Sequence, residues 1–243
     1  MIKPIIAGNW KMNKNPNEGS SFINDVIGNL SEVENVEVVF CPPFTGLNNV
    51  NINPPYYLGA QNCYYKDNGA YTGEISLNML LECNVQYIII GHSERRHIFF
   101  EDNELIGKKI AKVINAEIKP ILCVGETKDE MNSGRAYDVI EEQLAKGLEN
   151  LKSLSNVLIA YEPVWAIGTG LTASTDKISE MHSFIRKVLN KLFKEENTYR
   201  VPILYGGSVN SGNADELISL DGVNGFLIGG ASLDVVKFTD IVK

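Results

Sequence analysis

The sequence predicts an α/β fold: a single (β/α)8 barrel spanning residues 1–243, with eight parallel strands closed on themselves inside a ring of helices. Three observations carry that prediction. Short apolar runs recur eight times along the chain, and they are nearly continuous rather than alternating, as suits strands buried on both faces of a parallel sheet. The segments between them have helical period. At roughly thirty residues per strand-helix unit, eight units fill the chain with no insertion left over, close to the minimal size of such a barrel.

Taken in order, the strands are expected at Pro4 to Ala7, Val36 to Phe40, Tyr57 to Ala60, Tyr87 to Ile90, Pro120 to Val124, Val157 to Tyr161, Val201 to Tyr205 and Gly225 to Ile228. Two intervening helices are the most legible. From Asp176 to Leu192, the residues Ile178, Met181, Ile185, Val188, Leu189 and Leu192 make one apolar stripe, while Lys177, Glu180, Arg186, Lys187 and Lys191 occupy the rest. From Asp138 to Leu151 the same spacing returns with Ile140, Leu144, Leu148 and Leu151. A doubly wound open sheet is the competing architecture, and Gly168-Thr169-Gly170-Leu171-Thr172-Ala173 matches its dinucleotide fingerprint. The match fails on context. Six residues, Glu162 to Ile167, separate the preceding strand from the first glycine, and no acidic residue ends a following strand about twenty residues on.

Composition narrows the function. Lys and Arg total 22 against 30 Asp and Glu, a formal charge of −8, which is the wrong sign for nucleic acid or an anionic membrane. No apolar run is long enough for a signal peptide or a transmembrane helix, so a cytoplasmic protein is expected. Cys41, Cys63, Cys83 and Cys123 are widely spaced, without a C-x-x-C pair for zinc or dithiol chemistry, and reduced thiols are expected.

In a barrel, polar residues just past the strand ends converge on one face and build the site. After the first strand stands Asn9-Trp10-Lys11, whose lysine is either a solvated loop residue or a fixed cation for a phosphate or a developing oxyanion. After the fourth comes His92 before Ser93-Glu94-Arg95-Arg96, which reads as a helix opening. The positive end of that helix disfavours imidazolium, leaving a neutral histidine able to polarise a carbonyl; the alternative is a histidine that satisfies a backbone group. His97 and His182 fall within helical stretches and read as structural or exposed.

After the sixth strand, Glu162 precedes Pro163-Val164-Trp165-Ala166-Ile167-Gly168-Thr169-Gly170, a pattern that fits a base beneath a hinged lid or an ordinary surface turn. Glycine-rich turns at Gly206-Gly207-Ser208 and Gly229-Gly230-Ala231-Ser232 follow the seventh and eighth strands, where this fold recurrently cradles phosphate.

These stretches, with Gly59-Ala60-Gln61-Asn62 and Thr72-Gly73-Glu74-Ile75-Ser76, run in one order from end to end and closely resemble the triosephosphate isomerase family. The resemblance implies interconversion of glyceraldehyde 3-phosphate and dihydroxyacetone phosphate with neither metal nor organic cofactor. It implies that Glu162 moves the proton between carbons, His92 polarises the carbonyl, and Lys11 supplies charge, with Asn9 placing the substrate. Gly168, Ser208, Gly229 and Gly230 would hold the phosphate, and Glu94 would support Lys11. The loop from Cys63 to Thr72 matches one that enters a partner subunit near its Lys11, so a homodimer through Tyr71 and Thr72 is implied; the residue-level alternative is an exposed aromatic loop on a monomer. Leu171 stands where the family often has lysine, and Tyr71 where phenylalanine is common. The other functions to separate are another sugar-phosphate isomerase, such as one acting on a phosphoribosyl substrate, and a phosphate-binding barrel serving as a scaffold.

Overall fold

The computed structural model describes residues 2–167, 173–194 and 197–243. Eight strands, β1 (Ile5–Asn9), β2 (Glu37–Cys41), β3 (Tyr56–Ala60), β4 (Val85–Ile90), β5 (Lys119–Val124), β6 (Leu158–Tyr161), β7 (Ile203–Tyr205) and β8 (Gly225–Ile228), pair in sequence order, all parallel. β8 returns to β1 with Ile5 opposite Gly225 and Gly8 opposite Ile228, which closes the barrel. The helices are α1 (Pro16–Asn29), α2 (Leu77–Leu81), α3 (Ser93–His97), α4 (Asn103–Ile114), α5 (Lys128–Asn132), α6 (Ala136–Leu148), α7 (Thr175–Leu192), α8 (Ala214–Ile218) and α9 (Val235–Val242).

Local chemistry starts the helices where the sequence turns polar. Asn15 and Glu18 form a reciprocal cap on α1 with Pro16 in the first turn, and Thr127 and Glu130 do the same for α5. Asp102, Ser174 and Asp234 accept from the first-turn amides of α4, α7 and α9. Where boundaries differ from expectation, the backbone hydrogen bonds say why. β7 begins at Ile203 rather than Val201, because the Val201 amide closes a short 3-10 turn on Thr198 and Pro202 has no amide to offer the ladder. α6 stops at Leu148, and Leu151 folds back in a turn onto the Leu148 carbonyl.

The two-residue period of the strands sorts their side chains into two cores. Ile5, Ala7, Val39, Cys41, Tyr87, Ile89, Ile121, Cys123, Leu158, Ala160, Leu204 and Leu227 fill the barrel, while Ile6, Phe40, Ile88, Ile90, Leu122, Ile159, Tyr205 and Phe226 pack outward against the helices. At the end where the strands begin, the interior is plugged by polar groups that satisfy one another. Tyr87 donates its hydroxyl proton to Glu37, Lys119 Nζ donates to Tyr87 Oη at 2.9 Å and lies 3.5 Å from Glu37, and the Lys119 ammonium also sits over the Tyr57 and Tyr87 rings. No helix of the described residues is long and apolar enough to cross a membrane.

Candidate active site

The inward period that fills the barrel continues past the strand ends and aims the next side chains at its mouth. Asn9 and Lys11 follow Ile5 and Ala7, Glu162 follows Leu158 and Ala160, and Gly206 and Gly229 follow Leu204 and Leu227. Two of these are constrained by their surroundings. Gly206 lies so close to Glu162 that a Cβ there would meet its Cγ at 2.9 Å. Lys11 is held in the left-handed region at φ 54°, its amide bonded to Asn9 Oδ1 (3.1 Å) and its carbonyl to Gln61 Nε2 (2.8 Å). Gln61 also donates to the Cys41 carbonyl at 2.9 Å, anchoring that turn to β2.

His92 breaks the period. Counting from Tyr87 and Ile89 it should face outward, but Gly91 at φ 72° re-aims the chain, a conformation that a side chain at that position would strain. The imidazole then caps α3, with Nδ1 accepting the Glu94 amide at 3.2 Å. An imidazolium has no lone pair for that bond, so we assign the neutral ring carrying its proton on Nε2, which points at Glu162 Oε1 3.1 Å away. Burial draws the His92 pKa down while the Glu162 carboxylate draws it up, and with the two in contact the balance lies above the ordinary histidine value. The Nδ1 bond fixes which form is stabilised when that carboxylate turns away: the neutral one.

Glu162 is buried, and burial alone would raise its pKa. His92, the Ser93 amide on Oε2 at 3.1 Å, and Lys11 outweigh burial and hold the carboxyl below its usual range. Lys11 Nζ in turn donates to Glu94 Oε1 at 2.6 Å. The four groups thus form a chain, Glu94 to Lys11 on one side and His92 to Glu162 on the other, along a cavity of about 250 Å³.

That cavity is walled by Asn9, Lys11, His92, Glu162, Ser208, Gly229 and Gly230, bringing together residues far apart in the chain. Glu94 lies beside it through Lys11, and Gly168 and Leu171 lie outside the described residues. Ser208 Oγ donates to the Ala166 carbonyl at 3.2 Å, tying the loop after β7 to the turn after β6. Trp165 Nε1 donates to Glu126 Oε1 at 2.8 Å. His97 is exposed at the end of α3, whereas His182 is buried in α7. The two larger cavities, about 1090 and 640 Å³, open on other faces around Arg186 and Tyr199 and around Lys119 and Ser155; neither holds a base and an acid in contact at strand C-terminal ends. Among the described residues no group of three His, Cys, Asp or Glu side chains is placed to hold a metal ion.

Sequence reasoning assigned no role to Gln61 or to the Ser93 amide. Gln61 stood in a recognisable motif, but its two carbonyl partners come from the turn after β1 and the end of β2; the Ser93 amide has no side-chain signature.

A family model described as triosephosphate isomerase matches residues 4–243. Relatives bearing that name include those of Carboxydothermus hydrogenoformans, 48% identical with 100% of this chain and 99% of the relative covered, and Endomicrobium trichonymphae, 47% identical with 100% and 99% covered. The Aquifex aeolicus relative is 46% identical with 99% of each covered. A closed barrel, a histidine-carboxylate pair at its strand ends and likeness over the full length lead to one conclusion: this chain belongs to the triosephosphate isomerase family.

Proposed function

We propose that the protein interconverts D-glyceraldehyde 3-phosphate and dihydroxyacetone phosphate through an enediolate, without a cofactor. The observation that carries this is the Glu162–His92 contact of 3.1 Å beside Lys11, in a chain of this family. A carboxylate base beside a neutral histidine under a closing loop is the arrangement of the triosephosphate isomerase family.

The reaction needs a proton removed from a carbon next to a carbonyl, and the barrier falls only if the oxygen is stabilised as charge develops on it; one preorganised donor contributes roughly 3 to 4 kcal/mol. His92 Nε2–H is that donor. Both Glu162 oxygens are engaged at rest, on His92 and Ser93, so the carboxylate turns from them into the cavity to take the proton. There it carries the proton from one carbon to the other, while His92 relays protons between the oxygens. Lys11 offsets the charge of enediolate and phosphate, held by Glu94, and Asn9 orients the substrate. Backbone at Gly168, Ser208, Gly229 and Gly230 receives the phosphate, and the segment after Glu162 closes over it to exclude water from an intermediate that would otherwise expel phosphate.

A homodimer and a cytoplasmic location are parts of the same reading. Four free cysteines fit a reducing compartment. The loop around Tyr71 and Thr72 projects with both residues exposed, the Tyr64 ring lying tilted against those of Tyr65 and Tyr71 with centroids 4.7 and 4.8 Å away. A second hollow of about 220 Å³ lies on the outer side of Lys11, lined by Gln61, Glu94, Arg95 and Phe99, and beside it Met12 is 95% exposed. In this reading that hollow is where a partner's Thr72 loop would enter. Thr72→Arg is expected to yield monomers by light scattering and to reduce turnover with them; a dimer of undiminished mass would overturn this part.

The deciding experiment is a coupled assay of purified protein on both triose phosphates, run beside a phosphoribosyl substrate. Turnover of the trioses alone is expected. Binding of a phosphate analogue with no turnover of either would replace the enzyme with a scaffold.

A further inference from the structure

The turn that carries His92 and Ser93 is gripped from behind by a side chain that the chemistry above does not use. Arg96, in α3, donates Nε to the Gly91 carbonyl at 2.7 Å, one terminal nitrogen to the Cys123 carbonyl at 3.0 Å and the other to Asn103 Oδ1 at 2.6 Å. Its fork therefore joins the end of β4, the end of β5 and the first turn of α4. Among the described residues this guanidinium has no ion pair: all three acceptors are neutral. Arg95, its neighbour, by contrast donates two bonds to Glu101.

We propose that Arg96 is a positioning residue for the isomerisation, holding the His92–Ser93 turn at the distance from Glu162 at which the base rests and from which it turns to substrate. This rests on the function given above. Two observations carry it further. Arg96, Ser93, Cys123 and Glu162 line one crevice too tight to hold a water molecule, so a shift of the guanidinium passes to the base without solvent to absorb it. In addition, among the described residues the guanidinium has no carboxylate of its own, and Glu162 is the carboxylate that shares its crevice. Burial opposes the Arg96 charge, while Cys123, Glu162 and Glu101 favour it.

The groups facing Glu162 are His92 and Ser93 from the β4–α3 turn, Lys11 from the β1 loop, Cys123 from β5 and Arg96 from α3; Gly206 after β7 brings no charge. When Glu162 leaves His92 for the substrate, the Arg96 charge stays behind it. Lysine at position 96 keeps a charge but cannot reach three acceptors in one plane, which separates the two effects.

The test compares Arg96→Lys and Arg96→Gln with the parent protein, reading kcat and KM separately and titrating the Glu162 carboxyl by carbon NMR, assigned with Glu162→Gln. Arg96→Lys is expected to lose about tenfold or more in kcat with KM nearly unchanged, because misplacement by a fraction of an ångström acts on the chemical step. Its Glu162 titration stays in place. Arg96→Gln is expected to lose at least as much kcat and to move the Glu162 titration upward by roughly half a unit to one unit. A folded Arg96→Lys with parental kcat, or with kcat lost in proportion to a rise in KM, overturns the positioning role; an unmoved titration in Arg96→Gln overturns the electrostatic one. Should Arg96→Gln fail to fold, Asn103→Ala, which frees one arm of the fork, is expected to lower kcat without moving the titration, and parental kcat there overturns the proposal. A parent protein with no triose turnover would instead remove the function, and the titration would still report on Arg96.

Discussion

The two mouths of the barrel hold nearly the same chemical groups and use them in opposite ways. Where the strands begin, Lys119, Glu37 and Tyr87 close on one another, and the lysine also covers two aromatic rings. Where the strands end, Lys11, Glu94, His92 and Glu162 are arranged along a cavity of about 250 Å³ lined partly by glycine backbone. Both are cations, carboxylates and titratable rings at the ends of parallel strands. The lower set is a plug, because each group's partner is another member of the set. The upper set suits a site, because its cavity is lined by glycine backbone and the His92–Glu162 contact can be exchanged for contacts with a substrate.

Breaking a group at each end should separate these uses. The largest effect is expected from Glu162→Asp, which withdraws the carboxylate by about 1 Å and should cost on the order of a hundredfold in turnover with the melting temperature nearly unchanged. Parental turnover would show that Glu162 is not the base. At the other mouth, Glu37→Gln should leave turnover unaltered but cost about 1 kcal/mol of stability by denaturant unfolding, since Lys119 loses its carboxylate but is 36% exposed to solvent that replaces it. A fall in turnover there would mean that the two mouths are coupled.

The next effect sharpens the contrast through pH. His182, near the lower end, is held neutral by burial, which pulls its pKa from 6.5 to about 4 against a bond from Nδ1 to the Gly222 carbonyl. The unfolded chain therefore binds the proton first as pH falls. The contribution is fully present above 6.5 and is lost between 6.5 and about 4, about 3 kcal/mol in all. Melting temperatures across that window should fall less in His182→Gln than in the parent protein; parallel curves would remove the assignment.

The smallest effect concerns Glu162, whose depressed pKa has the opposite origin, its partners rather than burial. In the free enzyme it stays ionised down to below the ordinary 4.5, and its contribution to stability is fully present above 4.5 and is lost as pH falls from there through that lower value. Glu162 therefore sets no acid limb of kcat/KM near pH 6; the substrate phosphate, which titrates at about 6, is expected to set it, so the limb should shift with the substrate's own pKa when a phosphonate analogue is used, whereas a limb set by His92, whose pKa lies above its ordinary value beside Glu162, would not shift. A limb that stays put would place the titration on the enzyme.

The strand pattern was legible because burial on both faces writes a continuous apolar run, and the inward parity of Ile5, Ala7 and Asn9 or of Leu158, Ala160 and Glu162 could be followed one step past the strand. Strand starts were less so: Val201 and Pro202 are as apolar as a strand, and only the hydrogen bond from Val201 to Thr198 excludes them. His92 was found as a residue at a helix opening, but its inward aim depends on Gly91 at φ 72°, which parity contradicts. Arg96 carried no signal of its own, because its three acceptors belong to a glycine, a cysteine and an asparagine from separate elements.

Periodicity, caps and the order of motifs therefore settle the barrel, its family and the identity of the polar residues at its mouth, since each of these is local in the chain. Which cation Glu94 holds and where Glu162 rests arise from contacts between residues tens of positions apart. Those contacts exist only once closure of β8 onto β1 brings all eight strand ends to one rim.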